Sequence, residues 1–195
     1  TVPVRPGAPA ASAPPARVPR PAVVPTIADV DAPRRAADAH DAVDRALAWL
    51  AAHQADDGSF PCAGFGESCG SDRCDGPGTV HYTPGVTGLA VLAFLGKGET
   101  QQGGTYGEVV KKGLGYLAGI QDSEGCFGPR VSQHFMYNHM CAALAMTEAY
   151  GLTQSPLFRE RAQRAVDFVL RAQNPYLGWR YGVRDGDNDT SVTGW

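Results

Sequence analysis

Long apolar runs are missing from this chain. The longest, around Val86 to Gly96, is too short and too often broken by glycine to span a bilayer. A basic excess is missing as well. The formal net charge is −3, which leaves no electrostatic footprint for nucleic acid or an anionic membrane. An initiator methionine and a signal peptide are absent, and the sequence stops at Trp195 inside what reads as a new helix. The expectation is a piece of a longer protein, in which missing targeting signals decide nothing. At 195 residues and 43% hydrophobic, the chain has room for one globular domain and an extension.

The extension comes first. Residues 1–35 hold nine of the fifteen prolines, many alanines and almost no large aliphatic or aromatic clusters. Such a stretch cannot bury enough surface to offset its ordering entropy, so a disordered linker is expected there. Its early charges, Arg5, Arg17 and Arg20, are all basic. A solvated tether is the simplest reading, and a segment lying near a membrane surface is the other.

From Ala36 the pattern turns helical, and a unit recurs. Trp49, Tyr116 and Phe168 each stand five positions before a glutamine, Gln54, Gln121 or Gln173. A glycine and an aromatic follow: Gly58 and Phe60, Gly125 and Phe127, Gly178 and Trp179. The helices carrying these glutamines are amphipathic, and Ser155-Pro156 offers an N-cap and first-turn proline to the third. Between them lie stretches apolar nearly all round, Val86–Phe94 and Met140–Met146, which belong between neighbours. Thr190–Trp195 reuses the Val-Thr-Gly of Val86–Gly88 and looks like a third inner helix starting. Amphipathic helices alternating with apolar ones describe two layers, an α/α toroid or an α-solenoid, and the repeat favours the toroid. Each glutamine is expected to bond backbone groups of the following turn, with the glycine supplying a left-handed conformation. Gln54, Gln121 and Gln173 therefore read as stitching, with no catalytic role.

The aromatic–Gln–Gly–aromatic unit resembles the QW-type repeat of squalene and hopene cyclases. The stretches Tyr82–Leu89, Asn174–Tyr181 and Asp185–Trp195 are similar to bacterial prenyltransferase/squalene-oxidase-repeat proteins. The resemblance runs from about residue 38 to the end. It implies an all-α chain forming part of an α6/α6 toroid over residues 36–195 and continuing beyond Trp195. It also implies a ligand cavity near the N-terminal ends of the inner helices. Those ends carry His81, Tyr82, Tyr137, His139 and the run Asp187–Thr190. Trp179 and Tyr181 are further aromatic candidates for the cavity wall.

Hopene-type cyclases protonate an alkene with the middle aspartic acid of an Asp-x-Asp-Asp-Thr motif. That proton demands a carboxylic acid held neutral in an apolar pocket. Here the matching run is Asp187-Asn188-Asp189-Thr190, so the motif is broken, and Asp187 and Asp189 are the candidate catalytic acids. The alternation Asp185-x-Asp187-x-Asp189 also opens like a calcium loop, although helix capping accounts for it without an ion. Protein prenyltransferases hold zinc through Asp-x-Cys and a later His at inner-helix starts. His139 matches the histidine segment, while the Asp-x-Cys slot reads Thr79-Val80-His81. His81 and His139 are thus the candidate pair for zinc, with a carboxylate of the Asp185–Asp189 run. Two buried, hydrogen-bonded histidines are the alternative.

Cys62, Cys69 and Cys74 fall in one glycine-rich loop and Cys126 in the matching turn of the second unit, with Cys141 in an inner helix. Disulfides among the first four would suit an extracytoplasmic or tethered domain. Free thiols in a cytosolic loop, or zinc held by these cysteines with Asp72 or His81, are the other readings. Two functions stay open. One is an enzyme-like domain taking an isoprenoid or other apolar small molecule. The other is a non-catalytic binding or scaffold domain of a cell-envelope protein.

Overall fold

A computed structural model describes residues 32–69, 74, 76, 78–175 and 177–195, with side chains from residue 38. The stretch read as a linker lies outside the described residues up to position 31. Helix begins at Ala32 rather than Ala36.

Among the described residues six α-helices follow in order: α1 (Ala32–Ala52), α2 (Thr83–Gly96), α3 (Gly107–Gly119), α4 (Phe135–Thr153), α5 (Pro156–Ala172) and α6 (Thr190–Gly194). Among the described residues there is no strand beyond two isolated bridges, Thr100 with Gly103 and Gln121 with Phe127. The chain is all-α. Among the described residues no helix is long and apolar enough to cross a membrane.

The two layers follow from composition. α1, α3 and α5 each bury one stripe: Leu47 on α1, Val110, Leu114 and Leu117 on α3, and Phe158, Ala162, Ala165 and Phe168 on α5. α2 and α4 are buried along most of their length. They pack against one another, with α3 against α2 and α5 against α4. Alternate outer and inner helices in this order are consistent with an arc of an α/α toroid. Small residues set the inner spacing. A Cβ at Gly88 would sit 2.7 Å from the Ala142 amide nitrogen and the Cys141 carbonyl oxygen, so glycine is needed for this approach of α2 to α4. Around that seam Val91, Phe94, Leu114, Leu117, Phe127 and Met146 are fully enclosed. Each such side chain contributes about 1.5–3 kcal/mol of burial.

Local signals place the helix boundaries. Pro156 occupies the first turn of α5, where its missing N–H costs nothing. Ser155 stands at the N-cap position as the sequence leads one to expect, but its hydroxyl does not cap; its carbonyl takes the Phe158 N–H instead, at 3.1 Å. Asp189 is a true cap, accepting the Ser191 and Val192 N–H groups at 2.9 Å each.

The repeated glutamine explains how successive layers are joined. Gln54 Nε2 donates to Gly58 O at 3.0 Å in its own turn and to Val109 O at 2.9 Å on α3. Gln121 Nε2 does the same, to Gly125 O at 3.1 Å and to Arg161 O at 2.9 Å on α5. The aromatic that follows is anchored by an inner helix. Phe60 N–H donates to Thr87 Oγ1 at 2.9 Å, Phe127 N–H to His139 Nδ1 at 3.1 Å, and Trp179 N–H to Thr193 Oγ1 at 3.1 Å. The threonine of each Val-Thr-Gly is therefore an acceptor for a loop amide that would otherwise be stranded.

Candidate functional site

The inner helices α2, α4 and α6 are preceded by Tyr82, His134 and Asp189 at their N-cap positions. Tyr82 Oη lies 3.1 Å from His134 Nδ1, and the two rings meet edge-on with centroids 5.6 Å apart. His134 also faces Tyr137 at 6.2 Å and Tyr181 at 6.3 Å, and these two tyrosines are 6.4 Å apart. The hydroxyls continue the network: Tyr137 Oη is 2.5 Å from Ser191 Oγ, and the Tyr181 hydroxyl donates to Asp189 Oδ2 at 3.3 Å. Four partly exposed rings and one carboxylate thus share one end of the inner layer. An open groove of about 470 Å³ runs past Asp189, lined also by Leu177, Gly178, Asn188 and Thr193.

Asp189 Oδ1 accepts the Ser191 hydroxyl at 2.6 Å besides the two backbone N–H groups. The Ser191 hydroxyl, then the Val192 N–H, hold its carboxyl below the ordinary carboxylate range. These donors stabilise the charged form. The Asp189 charge in turn pushes the Tyr181 phenol up.

Tyr82, Tyr137, Tyr181 and Asp189 of the sequence candidates come together here. The other candidates sit apart from this ring network. His139 is fully enclosed and spans two backbone groups: Nδ1 accepts the Phe127 N–H, and Nε2–H donates to Ala165 O at 3.2 Å. Both nitrogens are thereby occupied, and burial drives its pKa down to about 4. His81 is exposed, and its backbone carbonyl accepts from the Asn138 side chain at 2.7 Å. Trp179 folds over the end of α5, its indole N–H on Val169 O at 2.8 Å. Asp187 pairs with Arg180 and takes its neighbour Asn188's N–H at 2.8 Å. Asp185 takes the Gly182 N–H at 2.8 Å. Buried Asn174 organises this acidic loop from within, donating to the Asp187 carbonyl and accepting the Gly186 N–H at 3.1 Å. Among the described residues Asp185, Asp187 and Asp189 do not form a group that could share one ion, and neither do His81 and His139 with a third donor.

His134 is the residue that sequence reading passes over. The signal was available: His134 precedes His139 by the same five positions that separate Tyr82 from Thr87. Aligning the two inner helices on their amide acceptors puts His134 beside Tyr82.

None of the five cysteines is in a disulfide. Cys126 and Cys141 are buried, and burial pushes each thiol up to about 11. Cys69 differs: its hydrogen bonding with Cys74 and then with His53 brings its thiol down to about 7.

No protein-family model matches the chain, and no solved structure does. Over 88 residues, 44% of this chain, the sequence is 37% identical to a squalene–hopene cyclase of Zymomonas mobilis. The matched part is 12% of that enzyme's length. The likeness therefore supports a cyclase-like toroid for a part of the chain.

Proposed function

We propose that this chain contributes to a squalene-cyclase-like toroid that binds an isoprenoid or similar apolar ligand at the inner-helix ends. The observation that carries the reading is the ring cluster of Tyr82, His134, Tyr137 and Tyr181. Aromatic faces offer large apolar area to a hydrocarbon chain, and their quadrupoles attract a cationic centre. The partial similarity to a cyclase supports the same class of ligand.

The role proposed for this segment is binding. An acid that protonates an alkene must be neutral and poorly satisfied, whereas Asp189 is a fully engaged helix cap and Asp187 is paired with Arg180. The carboxylate instead fixes Tyr181, and through it one wall of the ring cluster. The test is titration of the full-length protein in detergent with squalene and with farnesol, followed by intrinsic fluorescence. Saturable binding, weakened about tenfold in Tyr137→Ala or Tyr181→Ala, is expected; loss of one stacked ring is worth roughly 1 kcal/mol or a little more. Absence of saturable binding, or affinity unchanged from the parent in both variants, overturns the reading and leaves a scaffold without this site.

A further inference from the structure

A second group of chemically active side chains lies outside the ring cluster, where the glycine-rich loop meets the end of α1. His53 follows the last residue of α1 and is 6% exposed. Its Nδ1 is 2.6 Å from Trp49 O, and its ring stacks on the Trp49 indole with centroids 3.9 Å apart. A carbonyl can only accept, so Nδ1 carries the proton and Nε2 keeps its lone pair. That lone pair faces two sulfurs. Cys69 Sγ lies at 3.1 Å and Cys74 Sγ at 3.7 Å. The Cys74 N–H donates to Cys69 Sγ at 3.2 Å, so the loop backbone holds the two cysteines in register. All three ligand atoms fall within 4.8 Å of one another.

We propose that His53 Nε2, Cys69 Sγ and Cys74 Sγ bind one zinc ion, with the fourth coordination position open to solvent. A tetrahedral ion with bonds of about 2.0–2.3 Å needs its ligand atoms roughly 3.5 Å apart, and the two nitrogen–sulfur distances bracket that value. Two thiolates and an imidazole form a soft donor set that suits zinc and excludes magnesium or calcium. The imidazole is already oriented by a backbone carbonyl on its far nitrogen, as in metal-ligating histidines generally. The fourth position has room. A cavity of about 300 Å³ opens beside Cys69 and Cys74, walled by Phe65, Glu67 and three glycines. Cys62 is in the same loop, yet its sulfur is not in the group. The ion would tie Cys74 to a backbone it already approaches closely: a Cβ at Gly66 would lie 2.6 Å from Cys74 O.

The test uses the full chain, purified anaerobically, stripped with a chelator and titrated with cobalt(II). One equivalent is expected to bring thiolate-to-cobalt charge-transfer bands and the intense visible bands of a four-coordinate ion, and zinc is expected to abolish both. Cys69→Ser and Cys74→Ser should each halve the charge-transfer intensity and weaken affinity about tenfold or more. His53→Gln should weaken affinity similarly while keeping that intensity. Cys62→Ser, Cys126→Ser and Cys141→Ser should bind as the parent does. Added imidazole should shift the visible bands by entering the open position. Circular dichroism of each variant separates loss of ligand from loss of fold. Absence of the charge-transfer bands, their full intensity in either cysteine variant, or a Cys69–Cys74 disulfide in the anaerobic protein overturns the site. Loss of binding in Cys62→Ser, or indifference to imidazole, overturns the open fourth position.

Discussion

At Gln54 and Gln121 one side-chain amide bonds two carbonyls, one in its own turn and one on the next outer helix. At Gln173 the same amide bonds Leu177 O at 3.1 Å and, among the described residues, no second carbonyl. The residue four positions on changes with it. Gly58 and Gly125 have φ of 88° and 94°, and a Cβ on either would sit 2.3 Å from a carbonyl oxygen of the neighbouring helix, Lys112 or Arg164. In the third turn that position is Leu177, with φ of 67°, and the glycine stands one residue later. The left-handed conformation is thus common to all three turns, while glycine is needed only where another backbone presses against it.

The largest effect tests that distinction. Gly125→Ala adds a left-handed alanine and a collision with Arg164 O, and is expected to cost about 3 kcal/mol or more. Gly178→Ala meets the Asn188 side chain, at 2.5 Å from its Cγ and 2.9 Å from its Cβ; rotation relieves the first contact and a small shift of the loop the second, so about 1–2 kcal/mol is expected. Denaturant unfolding of both variants gives the comparison, and equal losses would erase the difference between the turns.

The amide acceptors differ too, and only one titrates. His139 is held neutral in the fold with its pKa near 4, against 6.5 for an unburied imidazole. Between those values the unfolded chain takes up a proton that the native state refuses, so lowering the pH favours unfolding. The stability tied to His139 is complete above pH 6.5 and is lost progressively down to about pH 4, by roughly 3 kcal/mol at most. Unfolding free energies measured across this range should fall more steeply in the parent than in His139→Gln. Parallel curves would remove His139 from the account. Thr87 and Thr193 do the same job with hydroxyls that take up no proton in this range, so of the three amide acceptors His139 alone is acid-sensitive.

The glutamine amides come next. Gln121→Ala loses two bonds and leaves the Arg161 carbonyl without this donor, an expected cost of about 2 kcal/mol. Gln173→Ala loses one exposed bond, at about 0.5–1 kcal/mol. Matching losses would mean that the reach to the next helix contributes nothing.

The alternation of outer and inner helices could be read from the chain because it is a local pattern of apolar spacing. The glutamine and its turn could be read for the same reason, since donor and first acceptor are four residues apart. The second acceptors, Val109 and Arg161, could not. They are backbone carbonyls, which any residue supplies, and they lie 55 and 40 positions away. His139 is shared by two such carbonyl and amide groups, so its type alone left metal and core readings open. His53 is not legible as a partner because its sulfurs are 16 and 21 residues downstream, whereas Asp72 and His81 stand nearer to these cysteines in the chain. The third turn is shifted in register by one position. Gly178 looked like the counterpart of Gly58, whereas the left-handed residue is Leu177.

Leu177 gives the smallest and most discriminating change. A leucine in the left-handed region costs about 1–2 kcal/mol, and its side chain, 75% exposed, returns little by burial. Glycine there removes the strain but adds about 0.5–1 kcal/mol of unfolded-chain entropy. Leu177→Gly is therefore expected to stabilise the full-length protein by about 0.5 kcal/mol, read as a higher denaturant midpoint at unchanged slope. A lower midpoint would mean that the leucine side chain is held by a contact that the first two turns do not have. The third joint would then be built on packing, where the first two are built on a glutamine and a bare backbone.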